Sequence, residues 1–97
     1  MLNKLNDKLI GNLVKAIISI NNEQECFAFL EDLCTIKELK DLTQRFAVAK
    51  MLDSGEKYQA IEEATGASTA TISRVNRSLN YGSGGYLSVI AKEKQKQ

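Results

Sequence analysis

Histidine is absent from this 97-residue chain, which excludes a histidine metal site and a histidine general base. Cysteine is scarce. Cys26 and Cys34 are the two present, and their spacing matches neither a zinc pair nor a redox pair. Each sits among apolar neighbours, Cys26 beside Phe27 and Cys34 near Leu33 and Ile36, so both read as small buried hydrophobes in a reducing compartment. There is no proline and no strand-like alternation, while apolar residues recur at helical spacing almost throughout, which predicts an all-α fold. No window approaches the run of about 20 apolar residues that a membrane span needs. The opening Met1-Leu2-Asn3-Lys4-Leu5-Asn6-Asp7-Lys8 lacks the basic stretch and solid apolar core of a secretion signal, so a soluble cytoplasmic protein without a membrane partner is expected. Carboxylates are scattered singly or in pairs. No set combines a nucleophile, a base and an orienting group, so neither an enzyme nor a bound cofactor is expected.

An excess of charge of one sign is also lacking, since 13 basic and 12 acidic residues leave a net value of +1, but the charge is unevenly placed. Residues 1 to 67 carry 8 basic and 11 acidic side chains, a balance of −3, whereas residues 68 to 97 carry 5 basic and 1 acidic, a balance of +4. The basic third starts at Ser68, although Lys92, Lys94 and Lys96 lie in a polar tail that solubility alone would explain.

A chain this short is one domain and buries a limited core unless it gains a partner subunit. From Leu2 to Ile20 the apolar residues Leu2, Leu5, Leu9, Ile10, Leu13, Val14, Ile17, Ile18 and Ile20 fill one helical stripe and spill onto a second. A helix on the outside of a monomer needs one stripe, so this width predicts contact on two sides, as between subunits. Asn21-Asn22-Glu23 is a break with capping chemistry, followed by a short helix from Gln24 to Leu33 that should bury Phe27, Leu30 and Leu33. Thr35 stands three residues before Glu38 in the pattern of a capping box, opening a third helix from Ile36 to about Asp53. Leu39, Leu42, Phe46, Ala49 and Leu52 share one face of it, and Ser54-Gly55 stops it. The organisation expected is a helical dimerisation core over 1–54, a helix-turn-helix over 58–80, a last helix over 86–94 and a tail over 95–97.

The segment from Tyr58 to Asn80 has the grammar of helix, glycine turn and capped helix. Gly66 can take positive φ between two steeply crossing helices, Ala67 is small enough to turn inward at the corner, and Ser68 is a natural N-cap. On the second helix Ile72, Val75 and Leu79 fall at i, i+3 and i+7 and must face the core, which turns Ala70, Ser73, Arg74 and Arg77 outward. Thr69 and Ala70 can touch base edges and thymine methyls, Ser73 can bond either kind of base, and arginine can grip guanine or phosphate. The helix N-terminus, with the hydroxyls of Ser68 and Thr69, is suited to a backbone phosphate. The expected DNA-contacting set is Ser68, Thr69, Ala70, Thr71, Ser73, Arg74 and Arg77. Helix-glycine-helix corners also occur in plain bundles, but here the glycine, the small residue, the cap, the inward stripe and the polar-plus-arginine face coincide. Glu62 departs from the pattern, since many such corners carry alanine there, and Glu62-Glu63 would repel phosphate if they faced it.

From about Leu33 to Asn80, and most closely in Thr-Ala-Thr-Ile-Ser-Arg (69–74) and Arg77-Ser78-Leu79, the sequence resembles the Trp repressor superfamily, in particular its Trp-repressor-like members of unknown effector in Firmicutes. The resemblance implies a six-helix subunit in an intertwined homodimer, with a final helix near Tyr86 to Lys94. It also implies an effector pocket. Arg45 and Arg74 match the two arginines that hold the ligand's ring, and Thr35 and Ser78 match hydroxyls near its carboxylate and ammonium groups. Val75 stands where the family places a glycine against the indole, and Leu79-Asn80-Tyr81-Gly82-Ser83-Gly84-Gly85-Tyr86 replaces an alanine-proline connection. Extra methyl carbons in a close-packed slot cost about 1–3 kcal/mol, so an amino-acid-like effector other than tryptophan is expected. An alternative for Arg45 is an ion pair with Asp41 or Asp53. The glycine-rich loop lacks a preceding strand and a P-loop lysine, which argues against nucleotide binding.

Taken together, the residues predict a homodimeric regulator, a repressor, that binds a palindromic double-stranded DNA operator. The competing reading is a helical protein-interaction module that keeps the helix-turn-helix as a scaffold, for which the two glutamates and the near-zero net charge speak.

Overall fold

The computed structural model describes residues 7–96, and the chain divides into two compact units with the boundary between Thr35 and Ile36. Among the described residues every regular element is a helix. Leu2 and Leu5 of the expected first helix lie outside the described residues.

The first unit holds α1 (Asp7–Ile18) and α2 (Glu23–Leu33). The break between them is chemical. Asn22 takes an extended backbone, and its Oδ1 accepts the Glu25 backbone N–H at 2.8 Å while Glu25 Oε1 accepts the Asn21 N–H at 3.1 Å. Two otherwise orphaned donors are satisfied reciprocally, as in a capping box. Neither helix buries a single residue within the chain. Phe27 and Leu33, expected to be buried by α2, are 61% and 51% exposed, and Leu30 is half-buried. The burial expectation fails for this single chain because a two-helix unit has no second layer to cover its apolar stripe. Both cysteines are likewise half-buried, free thiols and not fully buried hydrophobes.

The second unit comprises α3 (Ile36–Asp53), α4 (Tyr58–Thr65), α5 (Thr69–Tyr81) and α6 (Gly85–Gln95). Its core is Val48 and Ala49 from α3, Ile61 from α4, Ala67 at the corner, Ile72 and Val75 from α5 and Ile90 from α6. Phe46, Met51, Leu52, Tyr58 and Tyr86 are half-buried around it. The buried part of α3 is therefore its C-terminal half, and of the face expected from periodicity Leu42 remains 42% exposed. The N-terminal half of the helix places no residue in that buried core.

The last helix is held to α3 by the packing of Ile90 and by two ion pairs, Lys50 with Glu93 and Lys94 with Asp53 at 2.7 Å. Both pairs are partly exposed, so each adds at most about 1 kcal/mol, and the buried isoleucine contributes more. The connection into α6 depends on glycine at a close approach. The Gly82 N–H caps α5 through the Ser78 carbonyl, and a Cβ at Gly82 would stand 2.4 Å from that oxygen.

Candidate nucleic-acid interface and adjoining cleft

The helix-turn-helix formed by α4 and α5 is built around Gly66. It caps α4 in the left-handed region at φ 73°, and its N–H donates to the Glu62 carbonyl at 2.9 Å. A side chain at that φ is strained, so glycine turns the chain where other residues would resist. Ala67 then points inward with 4% of its surface exposed, and Ser68 adopts the extended N-cap conformation, its Oγ accepting the Thr71 N–H at 3.1 Å. Turn, small residue and cap all stand as the sequence implies.

Thr65 ties the corner together in a way that composition does not announce. Its hydroxyl donates to the Ile61 carbonyl at 2.7 Å and accepts the Ala67 N–H at 3.1 Å, while its own carbonyl accepts from Gln44 Nε2 at 3.2 Å. The turn is thereby fastened to α3 as well as to α4. The sequence signal for Thr65 is the common habit of hydroxyl residues near helix ends to bond the preceding turn. For Gln44 there is no local signal, because its partner lies 21 residues away.

On α5 Ile72, Val75 and Leu79 are buried, which fixes the opposite face by helical geometry. Ala70, Ser73, Arg74 and Arg77 are all exposed there, as are Ser68 and Thr69 at the N-terminal end. Neither Arg74 nor Arg77 forms an ion pair among the described residues, so both guanidinium groups are available to an outside acceptor. Thr71 is placed differently from the rest of the expected set. It is half-buried, its Oγ1 accepts from Ser68 Oγ at 3.1 Å, and it faces the α3 side.

That side holds a cleft of about 160 Å³, lined by Asp41, Gln44 and Arg45 from α3 and by Thr71, Arg74 and Val75 from α5. Two of the four expected effector residues, Arg45 and Arg74, thus come together. Ser78 is exposed on α5 and does not line the cleft, and Thr35 belongs to the first unit. The ion pairs considered for Arg45 are not formed. Asp41 pairs with Lys37 at 3.4 Å and Asp53 with Lys94. Gln44 is a cleft residue that the sequence reading does not single out, and Asp41 enters it only as a possible ion-pair partner, although their positions one and four before Arg45 put all three on neighbouring rows of α3. Two guanidinium groups with a carboxylate, an amide and a hydroxyl suit a small ligand that carries an anionic group and a donor. Val75 floors the cleft and is 2% exposed, so its isopropyl group already occupies space beside Arg74.

Among the described residues no group of three His, Cys, Asp or Glu side chains could hold a metal ion, and no helix is long and apolar enough to cross a membrane.

Comparison with known proteins places this architecture. The family profile described as Trp repressor protein matches residues 8–94. The uncharacterized Bacillus subtilis protein YerC is 47% identical over 94 residues, covering 97% of this chain and 90% of that protein. A crystal structure of a candidate Trp repressor from Staphylococcus aureus superposes with a TM-score of 0.93 at 42% identity, over 97% of this chain and 94% of the other. A TrpR-like protein from Eubacterium eligens gives 0.91 at 52% identity over 95% of each chain.

Proposed function

The chain belongs to the Trp repressor family, whose members are DNA-binding regulators and not enzymes, and on that premise we propose that it is a homodimeric repressor of a palindromic operator. The observation that carries the reading is α5 itself. Its inner face is locked into the core by Ile72, Val75 and Leu79, and its outer face offers Ala70, Ser73, Arg74 and Arg77 to a partner. This is the side-chain chemistry that reads base edges and grips phosphate, held on a rigid helix. Residues Ser68, Thr69 and Thr71 frame the entry of that helix.

Dimerisation is supported by the apolar surface that the single chain leaves uncovered. Leu9, Val14, Ile17 and Ile18 of α1 and Phe27 and Leu33 of α2 are each between 43% and 75% exposed. A second copy would bury them and would supply a second reading helix. Two recognition helices about 34–36 Å apart then demand half-sites repeated each helical turn. Repression follows when such a dimer occupies DNA that polymerase needs.

The effector proposed is a small amino-acid-like molecule other than tryptophan, held by Arg45 and Arg74 in the cleft between α3 and α5. Its support is the pairing of the two arginines in one cleft that Val75 narrows.

The test is selection of genomic fragments by the purified protein, with and without a mixture of amino acids. An enriched palindrome is the expected result, strengthened by the mixture. Enrichment of nothing in either arm would overturn the repressor reading in favour of a protein-interaction module.

A further inference from the structure

Glu62 is the residue that fits a DNA-reading corner least, being large and anionic beside a helix that should meet phosphate. The structure gives it a use. Its carboxylate reaches from α4 to the first turn of α5 and accepts the hydroxyl hydrogen of Thr69. An ionised carboxylate has no hydrogen to give, so the direction of this bond is fixed. A hydroxyl carries one hydrogen. With that hydrogen committed to Glu62, Thr69 Oγ1 presents only lone pairs to the outside. Ser68 is in a similar position, since its hydroxyl donates to Thr71 Oγ1 while accepting the Thr71 N–H.

The consequence for recognition is a matter of hydrogen-bond polarity. A phosphate oxygen, guanine O6 and thymine O4 are all acceptors and find no hydrogen at Thr69. In the major groove the base-edge donors are the exocyclic amines of adenine and cytosine. The nearby carboxylate also offsets the positive end of α5, which weakens any phosphate held there.

We infer that Glu62 is a specificity-determining residue that acts through Thr69: it turns the tip of α5 into an acceptor that reads the amine of adenine or cytosine and rejects guanine and thymine. This rests on α5 being the DNA-reading helix. It revises the expectation that the hydroxyls of Ser68 and Thr69 cradle a phosphate.

The experiment is selection from randomised duplexes by the full-length wild type, Glu62→Ala and Thr69→Val, each first shown to melt cooperatively. Thr69 is exposed, so Thr69→Val keeps the fold if Glu62→Ala does not. The wild type should enrich a palindrome with adenine or cytosine at one position per half-site. At that same position both variants should relax, with discrimination against guanine and thymine falling from about tenfold, the worth of one base-edge contact, to under about threefold. Glu62→Ala should in addition bind random DNA more tightly. A wild-type palindrome whose base preferences are unchanged by Thr69→Val, or that relaxes at guanine or thymine positions, overturns the inference while leaving the DNA-reading premise intact. A wild type that enriches no duplex overturns both.

Discussion

Replacing Ile17 by aspartate separates a solvated apolar face from an interface. Ile17 lies on α1, is 52% exposed in the single chain, and shares its helix with exposed Leu9, Val14 and Ile18. If the face stays in water, a surface substitution of this kind shifts stability by no more than about 0.5 kcal/mol. If a second copy covers it, the effect is of another order. Full burial of an isoleucine is worth about 1.5–3 kcal/mol, and a carboxylate left unpaired in the interface adds several more. A two-fold interface suffers the change twice, so the dimer should weaken by at least about 4 kcal/mol, or roughly a thousandfold in Kd. The assay is sedimentation equilibrium together with thermal melts over a hundredfold range of protein concentration, with Asn12→Asp on the same helix as control. Wild type and control should be dimers whose Tm rises with concentration. Ile17→Asp should be monomeric or unfolded. A wild type that sediments as a monomer with a concentration-independent Tm, matched by Ile17→Asp, would refute the reasoning.

Ser68→Ala removes the side-chain acceptor of the α5 N-cap and should cost about 1 kcal/mol, read as a lowered Tm in thermal unfolding. Val75→Gly should cost about 2–4 kcal/mol from reduced burial and from glycine in a helix, and it should open the cleft enough for tryptophan to raise the melting temperature. Calorimetry that shows no tryptophan binding to that variant would remove Val75 as the residue that narrows the cleft. Arg77→Ala should weaken operator binding and make the dependence of log K on log salt shallower by about one for each phosphate left without its arginine, measured by fluorescence anisotropy.

Local patterns reveal the elements of this fold because each signal acts within a few residues. Asn22 caps where its amide meets Glu25, Gly66 turns where a positive φ is required, and Ser68 opens α5. The stripe of Ile72, Val75 and Leu79 fixes the outward face of α5 by period alone. Burial in the first unit is not legible in the same way. Periodicity says that Phe27 and Leu33 need a cover, but it does not say which chain provides it. The candidate site divides along the same line. The outward arginines follow from the helix period, whereas Glu62 to Thr69 and Gln44 to Thr65 are hydrogen bonds between elements that no spacing rule connects.

A net charge of +1 is compatible with DNA binding once the charge is counted where it acts. Of the five basic residues after Ser68, Lys94 is paired with Asp53, while Arg74 and Arg77 form no ion pair among the described residues and lie on the exposed face of α5 proposed to meet DNA. Four such arginines in a dimer, each on a phosphate, imply a salt slope near roughly −3.6 and a drop in affinity of about 150-fold between 50 and 200 mM salt. A protein that engages six to ten phosphates weakens by about 10³ to 10⁵ over the same range. On the proposed interface the sequence-independent attraction would therefore be small, and Glu62 beside the tip of α5 would lower it further. Weak attraction to random DNA is an advantage for a regulator, because the useful quantity is the ratio of operator to non-specific affinity across a whole genome. Under the proposed dimer the affinity would come from base contacts made twice, which ties the apolar faces of α1 and α2 and the polarity of Thr69 to one function.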